Sequence, residues 1–257
     1  FQTTNHSFEA GLVLSWGVAA AGLAQVIYLI IACKREGAMP PLRLPKATPE
    51  VRRLFRLMLP GLLGAGVLQI NILVGTIIAS LLATGSISAL YYADRVYQLP
   101  LGVIGIAVGT ALLPLLSRQL RAGDSVHAND TMNRAVELSM LFTLPAAAAL
   151  MVIAEPIVTV LFERNAFGAV AAQRTTEALI AFSSGLPAYV LTKIYAPGFF
   201  AREDTKTPVF VGVAAMIVNI VLSLLLLETL AHIGIALATS IAAWLNAGIL
   251  LLLLSRR

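Results

Sequence analysis

The sequence predicts an all-α, polytopic membrane helical bundle of about seven transmembrane helices, and three observations carry that prediction. Hydrophobic residues make up 58% of the 257 positions and charged residues only 12%, too few to coat a water-soluble fold of this length. Runs of about twenty or more mostly apolar residues recur along the chain, the length a bilayer-spanning helix needs. Blocks such as Leu224-Leu225-Leu226-Leu227 and 249–254 are apolar on every face, which excludes the alternating strands of a spanning barrel.

The first run, Gly11 to Cys33, follows a polar stretch from Gln2 to Ser7. It is long enough to span and has no basic region before it, so it reads as a span rather than a signal peptide. The start at Phe1 and the close at Arg256-Arg257 beside an apolar run suggest a piece of a longer protein. Residues 34–56 form a basic linker in which Pro40, Pro41, Pro45 and Pro49 alternate with Lys and Arg, the composition of a stiff strap along a membrane surface. Six further runs follow: Leu57 to Ala83, Ile87 to Leu116, Ala135 to Leu161, Thr175 to Ala196, Val209 to Leu227 and Ile233 to Leu254.

Fourteen of the eighteen Lys and Arg residues fall on the links after the first, third, fifth and seventh runs. Arg164 and Arg174 are the basic residues assigned to the opposite links. Short links rich in Lys and Arg stay in the cytoplasm, so the N-terminus of this chain is expected outside and the C-terminus inside.

Pro60, Pro100, Pro114, Pro145 and Pro187 fall within or at the ends of runs, where each removes a backbone hydrogen bond. Gly105 and Gly109 form a small-xxx-small pair expected to let a neighbouring helix approach closely, and Gly61, Gly64 and Gly66 loosen the second run. Asn71, Gln69, Asn219, Asn246 and Thr239 are uncharged polar residues of the kind that hydrogen-bond between spans. Lys193 is placed near the cytoplasmic end of the fifth run, where its ammonium would snorkel to the surface.

Arg95, in Tyr91-Tyr92-Ala93-Asp94-Arg95-Val96-Tyr97, sits about two turns inside the third run. An arginine at that depth must face protein, water or an anion, and its fork of donors suits a phosphate or pyrophosphate. Position alone also permits an interfacial arginine beside an aromatic belt of Tyr91, Tyr92 and Tyr97. Asp94 is its neighbour in sequence, about 100° away around a helix, so the two need not pair.

The net charge of +5 is spread over membrane links rather than gathered on a polar surface, so no nucleic-acid partner is expected. The single Cys33 rules out an intrachain disulfide or a thiolate cluster. His6, His127 and His232 lack zinc-site spacing, and there is no G-x-x-x-x-G-K-[ST] loop. A transporter rather than an enzyme is expected.

From Tyr91 to Arg95, through Leu99 to Thr110, to Leu113-Pro114-Leu115-Leu116-Ser117, the chain closely resembles the MurJ (MviN) lipid II flippases of the multidrug/oligosaccharidyl-lipid/polysaccharide exporter superfamily. The resemblance extends through Gln69-Ile70-Asn71 to Ala79-Ser80, through Ala196 to Pro208, and through Gly234 to Ser240. It implies fourteen helices in two lobes, of which this chain supplies about helices six to twelve. Residues 1–33 would be the last helix of the N-terminal lobe, 34–56 the cytoplasmic linker, and 57–257 six helices of the C-terminal lobe.

The resemblance further implies translocation of an undecaprenyl-pyrophosphate-linked peptidoglycan precursor across the bacterial cell inner membrane, with Arg95 and Asp94 lining the cavity. The partners implied are that precursor, membrane lipids and the remainder of the same protein. Some members bind sodium, and the matching positions are Gly75, Asn219, Ser223 and Thr239. Carboxylates found there in such members are replaced by Gly75 and Ser223, which leaves a hard cation without negative charge, so no resident cofactor is expected. A multidrug or polysaccharide-lipid exporter of the same superfamily, and a seven-helix receptor, are the alternatives.

Overall fold

A computed structural model describes residues 2–37, 66, 69–164 and 167–256. Among them the chain is helical apart from short links, with one isolated bridge between Arg164 and Phe167. It divides into two units, residues 1–52 and 53–257. The proline strap and Pro60, Gly61 and Gly64 lie outside the described residues, as does most of the 34–56 linker.

The first unit contains α1 (Gln2–Arg35), whose stretch Ser15–Arg35 is long and apolar enough to cross a membrane. Trp16, Val18, Leu23 and Tyr28 are all exposed along it. Lys34 and Arg35 occupy its last turn, where cations complement the unpaired carbonyls.

The second unit contains α2 (Gln69–Ser80), α3 (Ser86–Leu101), a π segment (Gly102–Ile106), α4 (Ala107–Arg121), α5 (Ser125–Val152), α6 (Ala154–Phe162), α7 (Ala169–Ser183), α8 (Leu186–Phe200) and α9 (Lys206–Leu254). The third span is α3, the π segment and α4 in one 36-residue run. Pro100 has no N–H for the helical ladder, and directly after it the turn widens, the Gly102 N–H being shared between the carbonyls of Gln98 and Leu99.

The link to α5 turns at Gly123 (φ 76°). Asp124 then caps α5 by accepting the His127 N–H at 3.2 Å, and its hydrogen bond with the His127 side chain holds its carboxyl below the ordinary carboxylate range. The fourth span departs from the expected Ala135–Leu161. It begins as α5 at Ser125 and breaks at Ile153 before α6. Pro156, in the first turn of α6, cannot continue a helix whose i−4 carbonyl belongs to Val152, and that residue is where α5 ends. The fifth span is likewise a pair, α7 and α8, bent by 42° at Ser184-Gly185, with Pro187 in the first turn of α8.

The 49 residues of α9 are interrupted at Ala231 (φ 48°, ψ −126°). A Cβ added to Gly234 would lie 2.6 Å from the Leu226 carbonyl oxygen, whereas residues eight apart on a straight helix are separated by about 12 Å. The chain therefore doubles back, and the two halves of α9 are the sixth and seventh spans. With α1, the third span and the two broken ones, this gives six spans among the described residues, and the twelve-residue α2 is the described part of the second run.

Among the described residues of the second unit, a small apolar cluster of Ala188, Ala243 and Ala247 joins two large ones. One, toward the Ala231 end, gathers Ala93, Val96, Val158, Leu179, Leu186 and Ala236. The other, toward the Asp124 end, gathers Leu112, Leu116, Val190, Ile194, Phe199 and Leu250. Helix α8 contributes to both and is the central post. Small residues with no exposure, Ala93, Ala178, Ala188, Ala236 and Ala238, let backbones approach as membrane helices require.

At the Ala231 end the link before α3, helix α7 and the break in α9 are tied together. The Arg174 Nη1 donates to the Thr84 carbonyl at 3.1 Å. The Arg174 carbonyl is 3.1 Å from His232 Nε2, which therefore carries the proton, and the Glu177 carboxylate lies 3.5 Å from the same nitrogen.

Candidate functional site

Arg95 projects from α3 about 14 Å beyond Ser86, at 1.5 Å per residue, and its side chain is exposed. Its Nη2 donates to the Tyr91 hydroxyl at 2.9 Å, and its guanidinium carbon lies 4.7 Å from the centroid of the Tyr91 ring. The residues are one turn apart, so a helix brings them together without help from other elements. Tyr91 steadies the guanidinium through a cation–π contact and one hydrogen bond. Most of its five donors have no protein partner among the described residues.

Asp94 is half-buried and turns to a different partner, accepting from Gln98 Nε2. The three tyrosines of the motif also part company. Tyr91 is exposed beside Arg95. Tyr92 packs on Phe162 and Phe167, with centroids 4.8 and 5.1 Å away. Tyr97 is buried, stacked on Phe182 at 5.4 Å, and its hydroxyl is hydrogen-bonded to Tyr189 of α8. Both phenols lie within electrostatic reach of the Asp94 carboxylate. Asp94, Gln98, Tyr97 and Tyr189 thus form one polar group between α3 and α8, with Arg95 at its edge.

Sequence reasoning found Asp94 and Arg95 because charges stand out in an apolar run. It did not find Tyr189, which lies 92 positions from Tyr97 and carries no local signal. Lys193 lies on α8 seven residues before its end at Phe200, in the last quarter of the helical pair that runs from Ala169 to Phe200.

The four positions matched to a sodium site are dispersed in role. Ser223 Oγ donates to Asn219 Oδ1 at 3.0 Å, and Asn219 Nδ2 lies 3.4 Å from Asn71 Oδ1 on α2. This is a bond between helices of the sort expected for Asn71 and Asn219. Thr239 Oγ1 donates to Ile235 of its own helix at 2.8 Å. Gly75 offers no side chain, and a Cβ there would have nothing within 4 Å. These donors are neutral and mutually engaged, a poor fit for a hard cation. No group of three or more His, Cys, Asp or Glu is placed to hold a metal among the described residues.

A family model described as lipid II flippase MurJ matches residues 1–257. The chain is 49% identical over 237 residues to a probable lipid II flippase MurJ of Rhizobium meliloti (strain 1021), covering 92% of this chain and 44% of that one. Among solved structures it is similar to a lipid II flippase MurJ in an inward closed conformation, with a TM-score of 0.73 and 30% identity over 83% of this chain and 45% of the other. An outward-facing multidrug resistance MATE family transporter, at TM-score 0.66 and 18% identity over 80% of this chain and 47% of the other, shares the fold. The chain spans about half the length of the curated relatives it matches.

Proposed function

The chain belongs to the lipid II flippase MurJ family, and on that premise we propose that it forms about half of a transporter that moves lipid II from the cytoplasmic to the periplasmic leaflet. The observation that carries this reading is Arg95. It is an exposed guanidinium about 14 Å inside a span, propped by Tyr91, with donors to spare for a pyrophosphate.

The work is binding and release. Carrying an anionic headgroup through hydrocarbon is disfavoured because the charge loses its water. A guanidinium already held in place replaces part of that water with charge-assisted hydrogen bonds. Asp94, held by Gln98 beside it, keeps the site from being uniformly positive. In this reading the membrane is the bacterial inner membrane and the Ala231 end is periplasmic. The N-terminus of the chain is then periplasmic and its C-terminus cytoplasmic, as the Lys and Arg distribution favours. Access alternates as the lobes of the full-length protein rock. Membrane potential is one available drive, at about 2.3 kcal/mol per charge moved through 100 mV. The multidrug likeness is one of fold alone, and no step is assigned to sodium.

The test is replacement of the resident flippase in cells depleted of it by a full-length protein carrying this sequence. Cell-wall synthesis should be sustained, and Arg95→Ala should abolish it while the variant still reaches the membrane. Failure of the rescue, or rescue indifferent to Arg95→Ala, would count against this function.

A further inference from the structure

Arg95 does not stand alone on its face of α3. Tyr91, Arg95 and Leu99 follow one another four residues apart, about 6 Å along the axis at each step, and all three are exposed. An apolar side chain thus lies inward of the guanidinium and an aromatic one outward of it. The other tyrosines of the motif are not on this exposed face, Tyr92 being half-buried and Tyr97 buried.

The Tyr91 ring is fixed from behind. It meets Tyr92 edge to face, with centroids 6.0 Å apart and planes at 77°. Tyr92 packs in turn on Phe162, the last residue of α6, and on Phe167 of the link to α7, and these two rings also touch each other at 6.0 Å. Three rings drawn from α3, α6 and that link therefore back Tyr91. On its other flank lies the Arg95 guanidinium, 4.7 Å from the ring centroid, with Nη2 donating to the Tyr91 hydroxyl. With both neighbours in place the residue is still 53% exposed. Aromatic surface that is already ordered is available to a ligand at little entropic cost.

What that surface suits follows from its place beside a cation. The sugar of a peptidoglycan precursor is bonded directly to its pyrophosphate, and Tyr91 is one helical turn from Arg95, so one headgroup can meet both. A sugar ring presents C–H groups of slight positive charge, which pack against the negative face of an aromatic ring.

We propose that Tyr91 is a specificity-determining residue, its ring stacking on the sugar next to the pyrophosphate held by Arg95, so that the pair selects a sugar-bearing pyrophosphate lipid over the bare carrier. The proposal deepens the flippase reading and rests on it for the identity of the substrate. Arg95 makes the same charge-assisted contacts with either lipid; the ring tells them apart. Tyr92, Phe162 and Phe167 act only through Tyr91, as positioning residues.

The test is a ratio of affinities in a purified full-length protein carrying this sequence. Three lipids are compared: undecaprenyl pyrophosphate, undecaprenyl-pyrophosphoryl-N-acetylglucosamine and lipid II. The parent should bind both sugar-bearing lipids about fivefold more tightly than undecaprenyl pyrophosphate, and Tyr91→Leu should remove most of that preference. Tyr91→Phe and Tyr91→Trp should keep it, because a ring suffices, even where loss of the hydroxyl that holds Arg95 weakens all three lipids alike. Arg95→Ala should weaken all three. If thermal unfolding shows Tyr91→Leu to be misfolded, Tyr91→Gln takes its place.

No preference in the parent, or an equal one in the parent and Tyr91→Leu, as a tyrosine serving only as a lipid-facing anchor would give, overturns the assignment. So does equal loss in Tyr91→Phe and Tyr91→Leu, or a preference confined to lipid II, which would come from its peptide. If the N-acetylglucosamine lipid shows the Tyr91-dependent preference while lipid II does not bind, the sugar site stands and the flippase reading fails.

Discussion

Ala231 holds a backbone conformation, φ 48° and ψ −126°, that glycine adopts freely and an L-residue with a Cβ does not. Strain of this kind is of order 1–3 kcal/mol, and it is tolerated because the hairpin on either side of the residue is packed. Ala231→Gly should therefore stabilise the protein by about 1 kcal/mol in a denaturant titration in detergent, and Ala231→Val should destabilise it. A glycine variant less stable than the parent would show that packing around the methyl group outweighs backbone strain. At this scale the sequence was informative where chemistry is out of place. Asp94, Arg95 and Lys193 are charges among apolar residues, and they stand out in the sequence for that reason. What could not be read was the angle of the bend: the fifth run is one apolar stretch in sequence, yet it is divided between α7 and α8, with Lys193 seven residues before the end of α8. His232 looked solitary because its partners, Arg174 and Glu177, lie more than fifty positions away.

Helices of this unit meet through glycines, and their tightest contacts predict which substitutions the fold resists. A Cβ on Gly185 would lie 2.7 Å from Ser240 Oγ and 2.8 Å from its Cα, so α9 sits directly on the break between α7 and α8. The Ser240 hydroxyl bonds there to the Ala181 carbonyl at 2.7 Å. Gly105 is looser, with its nearest neighbour at 3.5 Å, an ordinary van der Waals distance. Gly185→Ala should destabilise the protein by about 1–3 kcal/mol, whereas Gly105→Ala should be nearly silent in the same thermal unfolding assay. Equal effects of the two would contradict this packing. The Gly105 and Gly109 pair was legible as a close-approach motif, and α8 is the helix that approaches. Pro100 and Pro187 marked interruptions of the helical ladder, and the π turn and the bend at Ser184 lie beside them, whereas the stop at Val152 before Pro156 was not legible. Apolar runs continue through all three, because a broken membrane helix stays greasy on both sides of its break.

The ties at the Ala231 end act on the unit as a whole. Thr84 precedes α3, Arg174 and Glu177 lie in the second and third turns of α7, and His232 begins the second half of α9, so bonds from Arg174 to Thr84 and from His232 to Arg174 fasten three separate elements at one end of the bundle. The guanidinium bond is charge-assisted and the imidazole bond is not; each contributes about 1 kcal/mol, and their value lies in joining separate elements at that end. If a lobe is to rock as one body, its links must not move against each other. Spin labels at the exposed positions Leu81 and Val170, one on the link before α3 and one at the start of α7, should thus report a narrow distance distribution. Undecaprenyl pyrophosphate should leave that distribution unchanged in a full-length protein carrying this sequence, and Arg174→Ala should broaden it. A ligand-induced shift of about one helical turn, 5 Å, in the parent would mean that this end opens within the lobe, and that transport proceeds by local rearrangement of α7 rather than by rigid rocking.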